Sequence, residues 1–212
     1  MLTAKTTALV AGGIVVADSL LGAALYRSYG CHRLRELPQS EIPHLIARTG
    51  SEMQDGSDAI VYVDCFEREI PLNNLKSAPG ATAIARNLFG SLVFRPELHL
   101  LRYFLPAFKH TCTTDHVRKL DFKVGEQVGV FKVDTKEDDK EIRFGWDMDE
   151  NGYTYIGVEV SEDKAKIRFG SSLKASVPNL VWKPVLLFHQ IYSRSLLEAA
   201  VRSYLKEEAK VK

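Results

Sequence analysis

The stretch Pro184-Val-Leu-Leu-Phe-His-Gln-Ile-Tyr-Ser-Arg-Ser-Leu-Leu-Glu-Ala-Ala-Val-Arg-Ser-Tyr204 decides the fold of this chain. At about 100° of rotation per residue, one side of a helix carries a polar stripe, formed by Gln190, Arg194, Glu198 and Arg202. The opposite side carries the apolar residues, together with His189; these are Phe188, Tyr192, Leu196, Ala199 and Ala200. The pattern predicts an amphipathic helix that begins near Pro184 and needs an apolar surface to lie on.

Alternating segments that precede this helix supply such a surface. Residues 58–71 are β-rich and are followed by two helix-like stretches, residues 80–89 and 96–108. Alternating polar and apolar residues then predict further strands, at residues 122–133, 141–147, 153–160 and 164–177. Short separators rich in turn-forming residues favour an antiparallel meander. We therefore predict an α+β fold in which a curved antiparallel sheet carries the long C-terminal helix across its face.

The N-terminal region differs sharply from the rest in composition. Residues 6–26 are small and apolar, and as a helix they would span about 30 Å, which is roughly the thickness of a hydrocarbon core. They predict a single transmembrane helix, although Asp18 within it costs about 2.5 to 3.5 kcal/mol on insertion scales. Arg27, Arg33 and Arg35 follow the segment, so the positive-inside rule predicts a cytosolic C-terminal domain.

A secretory signal is the alternative interpretation of the same segment. Lys5 would be its charged region, residues 8–17 its apolar region and residues 22–24 its cleavage site. With the anchor favoured, we divide the chain into an anchor at residues 1–29, a juxtamembrane linker at residues 30–57 and a folded domain at residues 58–212. Within the linker only residues 42–48 have the pattern of a short helix.

Charge and cysteine usage narrow the class of protein. The net charge of +1 and the lack of a basic patch argue against a nucleic-acid partner. The cysteines, Cys31, Cys65 and Cys112, are odd in number and fit no metal or redox spacing. We therefore expect a reducing compartment, no metal site and no cofactor, with the lipid bilayer and a small molecule as partners.

His189 and Tyr192 are the first candidate site residues. Both lie on the apolar side of the last helix, one turn apart. Desolvation would keep His189 neutral, so that it could bond a ligand carbonyl, and Tyr192 could be a second donor. The alternatives are a core histidine bonded to a backbone carbonyl and a tyrosine that simply packs against the sheet.

The segment His110-Thr-Cys-Thr-Thr-Asp-His116 is the second candidate, because it gathers imidazoles, a thiol and a carboxylate. Its spacing fits no closed zinc site, and a polar loop is the simpler interpretation. If the segment is functional, Asp115 would orient His116 as a general base. A loop would have to bring these two neighbours together, because adjacent residues on a strand point to opposite faces.

The predicted order of one strand, two helices, an antiparallel run and a C-terminal helix resembles the helix-grip fold of the START and Bet v 1 class. A closer resemblance rests on Tyr62-Val-Asp-Cys-Phe66, on residues 122–133 and on residues 188–197. These motifs resemble the DUF2867 family of uncharacterised proteins over residues 60–204. The resemblance implies a helix-grip-like fold and supplies no reaction, and the N-terminal anchor departs from the family's usual soluble form.

Two functions follow from a hollow between helix and sheet. The first is a membrane-anchored domain that binds a hydrophobic small molecule such as a lipid, an isoprenoid or a polyketide-like compound. The second is a cofactor-free cyclase, isomerase or dehydratase, with a role in secondary metabolism, that acts on such a molecule through His189, Tyr192, Asp115 and His116. A structural membrane partner is a third hypothesis, for which an exposed apolar patch in place of a cavity would be the sign.

Overall fold

The computed structural model of the chain describes residues 27–28, 33–47, 60–73, 75–146, 152–175 and 179–210. It has seven strands: β1 Arg35–Glu36, β2 Ile60–Pro71, β3 Gln127–Val128, β4 Phe131–Glu137, β5 Glu141–Trp146, β6 Gly152–Val160 and β7 Lys164–Ala175. The α-helices are α1 Ala81–Phe89, α2 Arg95–Phe104, α3 Thr114–Lys119 and α4 Asn179–Lys210. Short 3-10 helices lie at Gln39–Glu41 and Pro106–Phe108.

All seven strands belong to one sheet, in the order β1-β2-β7-β6-β5-β4-β3, and every neighbouring pair is antiparallel. Strands β3 to β7 form a meander, and β2 closes against β7 along twelve residue pairs from Ile60↔Ala175 to Pro71↔Lys164. Helices α1 to α3 lie in the connection between β2 and β3, and α4 follows β7. The predicted α+β class with an antiparallel sheet and a long C-terminal helix is confirmed.

Two predicted boundaries were wrong. Residues 122–133 are not one strand, because the short strand β3 turns at Gly129 into β4, and the φ of Gly129 is 56°. A positive φ of that size costs glycine little, so Gly129 permits a two-residue turn within an otherwise alternating segment. The last helix begins at Asn179 instead of near Pro184, which places the proline in its second turn.

The predicted polar stripe of α4 is also wrong at its centre. Glu198 is only 1% exposed and accepts bonds from Arg68 (Nε to Oε2, 3.2 Å) and Arg202 (Nε to Oε1, 3.0 Å). Arg194, which lies one turn before Glu198 on the same helix, pairs with Glu36. The helix is buried on almost every side here because the sheet covers one side and α1 packs on another.

The main core fills the space between the sheet and these helices. Buried side chains of α1, such as Ile84 and Leu88, meet Leu197 and Val201 of α4 in one cluster. Beside them five phenylalanine rings pack with centroids 5.0 to 5.9 Å apart: Phe89, Phe94, Phe122, Phe131 and Phe144. Such rings bury large areas in a fixed geometry, so this cluster fixes α1 to the meander.

A second, smaller core lies on the other face of the sheet. Residues 33–47 run across that face, where Leu37, Ile42 and Ile46 are buried against Cys65 and Tyr155. Strand β1 belongs to this segment and pairs with β2. Part of the stretch that we interpreted as a linker is therefore packed on the folded domain, and residues 44–47 form a helical turn there.

The predicted transmembrane segment, residues 6–26, lies outside the described residues. Within the part of the chain that the structure describes, no helix combines the length and the apolar character that spanning a bilayer requires.

Candidate functional site

A cavity of about 260 Å³ lies between the sheet, α1, α2 and the first half of α4. Most of its wall is apolar, and it is formed by Leu88, Phe89, Phe94, Val130, Phe131, Trp146, Phe169 and Leu196. The polar side chains of the wall come from α2, α4, β6 and β7, and these are Glu97, Thr154, Ser171, His189, Tyr192 and Ser193. An apolar chamber with a few convergent polar groups is the usual form of a small-molecule site.

The most distinctive contact in the cavity joins α2 to α4. The Tyr192 hydroxyl donates a hydrogen bond of 2.6 Å to Oε2 of Glu97. Burial raises the pKa of the Glu97 carboxyl to about 7, and the bond from Tyr192 offsets part of that rise. Burial also raises the pKa of Tyr192 far above its ordinary value, with the Glu97 charge adding to the effect. Near neutral pH this pair can therefore exchange a proton with a bound molecule.

His189 forms the second polar group of the wall. Its side chain is 18% exposed, and burial lowers its pKa to about 4, so the ring is neutral at pH 7. Nε2 lies 3.7 Å from Oδ2 of Asp64 and 3.4 Å from the Ser193 hydroxyl. Both neighbours meet the same ring nitrogen, whereas a serine–histidine–aspartate triad uses the two nitrogens separately. This arrangement is therefore not a serine–histidine–aspartate triad.

Asp64 of strand β2 is the carboxyl that lies next to His189. It is 3% exposed, and its oxygens accept the Tyr62 hydroxyl at 3.0 Å and the Ser171 backbone N–H at 3.1 Å. Burial raises the pKa of Asp64 to about 7, although these two bonds and the more distant Arg194 act in the opposite direction. Asp64 is thus a second carboxyl that has no cation in direct contact among the described residues.

The structure separates the two sets of site residues that the sequence predicts. His189 and Tyr192 both line the cavity, as their position on the apolar side of the helix indicates. Asp115 instead lies on α3 with its side chain 86% exposed, 3.8 Å from Arg118. His116 bonds the Gln127 carbonyl through Nε2 at 2.8 Å, and this contact fastens α3 to β3.

The contacts of Asp115 and His116 are thus separate, and they differ from the pairing that a functional role of this segment would need. The contacts of His116 belong to a helix start, since its backbone N–H is capped by the Thr113 hydroxyl at 3.1 Å. Within the described residues, no group of three or more His, Cys, Asp or Glu side chains is positioned to hold a metal ion. The predicted roles of Asp115 and His116 stay predictions without support from the cavity.

Sequence reasoning missed the two carboxyls of the site. Asp64 shares the inward face of β2 with Tyr62 and Phe66, and a charged residue on an apolar face was a signal that could have been used. Glu97 had no such signal, because a glutamate in a first helical turn is ordinarily explained by the helix dipole. Only the tertiary contact with Tyr192 shows where it lies.

The outside of α2 exposes large apolar side chains. Leu100, Tyr103 and Phe104 are 58%, 79% and 68% exposed, and Leu92 just before the helix is 68% exposed. The molecule therefore has both a cavity and an exposed apolar patch, so the patch by itself does not favour the structural-partner hypothesis over the other two.

Comparison of the chain with protein-family models, with curated proteins and with solved structures finds no match. The resemblance to the DUF2867 family stays a prediction.

Proposed function

We propose that the domain is a helix-grip-like module that binds a hydrophobic small molecule in the cavity under α4. The observation that carries the proposal is the cavity wall, where aromatic and aliphatic side chains surround a small cluster of polar groups. Desolvating apolar surface supplies the binding free energy, and the polar groups fix the orientation of the ligand.

The size of the cavity limits the ligand. An apolar cavity of about 150 Å³ accommodates benzene, so about 260 Å³ suits a molecule of about ten non-hydrogen atoms. This is nearer to a short isoprenoid or an aromatic fragment than to a full-length lipid. Glu97, His189 and Tyr192 remain partly exposed, which gives the ligand a route from solvent.

The direct test is native mass spectrometry and solvent extraction of the full chain in lipid nanodiscs. We expect an apolar molecule of this size to copurify with the wild type and to be lost in Ser193→Phe, because Ser193 lines the cavity and is 1% exposed. Ser203→Phe is the matched control, since it places the same ring on the same helix away from the cavity wall. Equal retention by both variants would contradict the proposal.

A cofactor-free acid–base enzyme is the second candidate, and the Glu97–Tyr192 pair favours it. A carboxyl with a pKa of about 7 that is bonded to a phenol can donate or accept a proton at neutral pH. An isomerase, cyclase or dehydratase needs only one or two such groups. The test is depletion of compounds from a cell extract by the wild type but not by Glu97→Gln, with binding retained in the variant.

The proposal includes a membrane tether formed by residues 6–26, with the domain on the cytosolic side. Its support is the length and apolar character of that segment and the arginines that follow it. Fractionation after alkaline extraction tests the tether, because an integral segment keeps the chain in the membrane pellet. Protease added to sealed spheroplasts tests the orientation, and digestion of the domain from outside would contradict it.

A further inference from the structure

The described wall of the cavity carries an acidic side chain and no basic one that is charged at pH 7. The ionisable groups of its wall are Glu97, His189 and Tyr192, and burial leaves the histidine neutral. Among the residues whose side chains the structure describes, which leaves out residues 174–185, no lysine or arginine lines the cavity. The carboxyl of the wall, Glu97, contacts no cation among the side chains that the structure describes, and such a carboxyl suits a ligand that carries a positive charge.

Arg194 follows the cavity residue Ser193 on α4, but its guanidinium contacts groups outside the cavity wall. The guanidinium of Arg194 pairs with Glu36 and lies 4.7 Å from the centre of the Phe66 ring. Arg68, which also lies on the inward face of β2, is held by Glu198 at 3.2 Å. Both cations are therefore engaged outside the cavity wall, and neither is among the groups that set the pKa of Glu97.

Aromatic rings form much of the remaining wall. Phe131 has centroids of Phe89, Phe94 and Trp146 at 5.6, 5.7 and 6.1 Å, so these rings make one continuous surface. Phe169 and Tyr192 line the cavity as well. The negative faces of such rings attract ammonium groups, and the attraction grows as water is excluded.

We propose that the ligand of this cavity is a small hydrophobic amine, bound as its ammonium ion by the Glu97 carboxylate within the aromatic wall. The hydrogen bond from Tyr192 occupies one carboxyl oxygen and positions the group toward the ligand. This inference rests on the proposed binding function and specifies the chemical class of the ligand. It also explains why a carboxyl is placed in the cavity with a tyrosine as its partner.

Binding of the amine would change the protonation of Glu97. Because burial raises the pKa of Glu97 to about 7 in the free protein, a substantial fraction of the carboxyl is protonated at neutral pH. An adjacent ammonium favours the ionised form, so complex formation releases part of a proton at pH 7 and almost none at pH 9. A neutral hydroxyl ligand produces no such release.

The experiment is isothermal titration calorimetry of the full chain in phosphatidylcholine nanodiscs, with 2-phenylethylamine and 2-phenylethanol as probes. The two molecules have nearly the same shape and size, and only the amine is a cation at pH 8. We expect the amine to bind at least ten-fold more tightly than the alcohol. Empty nanodiscs correct for partition of each probe into lipid.

Two variants test whether Glu97 causes the preference for the amine over the alcohol. Glu97→Gln should abolish the ten-fold preference and the proton release, whereas Glu69→Gln, at a half-exposed carboxyl of β2 away from the cavity wall, should leave both unchanged. If Glu97→Gln fails to fold, the two affinities of the unmodified protein decide alone. Equal or tighter binding of the alcohol would overturn the amine inference and leave the cavity proposal standing, whereas binding of neither probe would overturn both.

Discussion

Two carboxyls three residues apart on β2 meet opposite environments. Glu67, on the outer face of the sheet, is 3% exposed and is bonded by Arg168 at 2.8 Å and Arg35 at 3.0 Å. Burial raises its pKa, but these bonds outweigh burial and the net pKa is lowered. Asp64, on the inner face, is equally buried, accepts hydrogen bonds from a hydroxyl and a backbone amide, and has the neutral His189 ring 3.7 Å away. Burial dominates there, so the pKa of Asp64 is raised.

Glu67 is a carboxylate that arginines neutralise, whereas Asp64 is a carboxyl that a ligand could still bond. On the outer face the buried carboxylate belongs to an ion network that includes Glu159, bonded by Arg168 at 2.6 Å, and the surrounding core is closed by residues 33–47. Around the cavity, no cation among the described side chains directly contacts Asp64 or Glu97. Buried charge without compensation destabilises a fold, so its presence beside an empty volume indicates function.

Leu197 and Leu196, which are neighbours on α4, also differ in their surroundings. Leu197 is 0% exposed in the solid core, whereas Leu196 is 4% exposed and lines the cavity. We expect Leu197→Ala to lower the free energy of unfolding by about 4 kcal/mol and Leu196→Ala by about 2 kcal/mol, because fewer packed atoms surround the second side chain. Urea denaturation measures both values. Equal losses would mean that the cavity is not an open space next to Leu196.

The next largest effect is expected for Glu67, in the ion network on the outer face of the sheet. Glu67→Gln should lower the free energy of unfolding by about 3 kcal/mol at pH 7.5, since it leaves Arg168 without its buried partner. Glu69→Gln is the control, because its bond to Lys164 is exposed and worth less than about 1 kcal/mol. The contribution of Glu67 should disappear in acid, as a lowered folded pKa means that it is lost when the pH falls through that value.

Glu97→Gln should do the reverse and stabilise the free protein at pH 8 by about 2 kcal/mol. The ordinary pKa of this carboxyl is 4.5 and burial raises it to about 7, so its folded-state contribution is present below 4.5 and is lost as the pH rises to about 7. Glutamine cannot ionise and escapes that loss. Thermal unfolding at pH 4 and pH 8 checks the sign, and a variant less stable than the wild type at pH 8 would contradict an uncompensated carboxyl.

The smallest effect belongs to the hydroxyl of Tyr192. Tyr192→Phe removes the bond to Glu97 and should destabilise the protein at pH 8 by about 1 kcal/mol. In double mutants with Glu97→Gln the two changes should not add, because the residues are partners. Tyr103→Phe, at a position 79% exposed, is the control and should change nothing measurable. Additivity would show that the bond makes no contribution in solution.

Much of this fold could be predicted from alternation and turn residues. The segment predicted as a strand at residues 153–160 is one, and its residues Ile156 and Val158 are 0% and 7% exposed in the main core. The hairpin at Gly129 was not foreseen, because glycine in an alternating segment is compatible with either a bulge or a turn. The start of α4 was misplaced because Pro184 is common in a first helical turn, and here it lies in the second.

The site was only half predictable, for a physical reason. Helical periodicity places His189 and Tyr192 on one face, which is a local property of the sequence. The bond between Tyr192 and Glu97 joins residues 95 positions apart, and the bond from Arg68 to Glu198 joins residues 130 positions apart. No local pattern specifies such pairs. Helical periodicity therefore predicts an exposed polar stripe on α4, and the helix dipole alone explains Glu97 on α2.

The central claim is that α4 closes an apolar, accessible cavity over the sheet. A crystal of the protein pressurised with xenon tests it most directly, because xenon enters apolar cavities of this size. We predict xenon density between Phe131, Trp146 and Tyr192, lost in Ser193→Phe and retained in Ser203→Phe. A core in which side chains fill that space and no xenon binds would contradict the account.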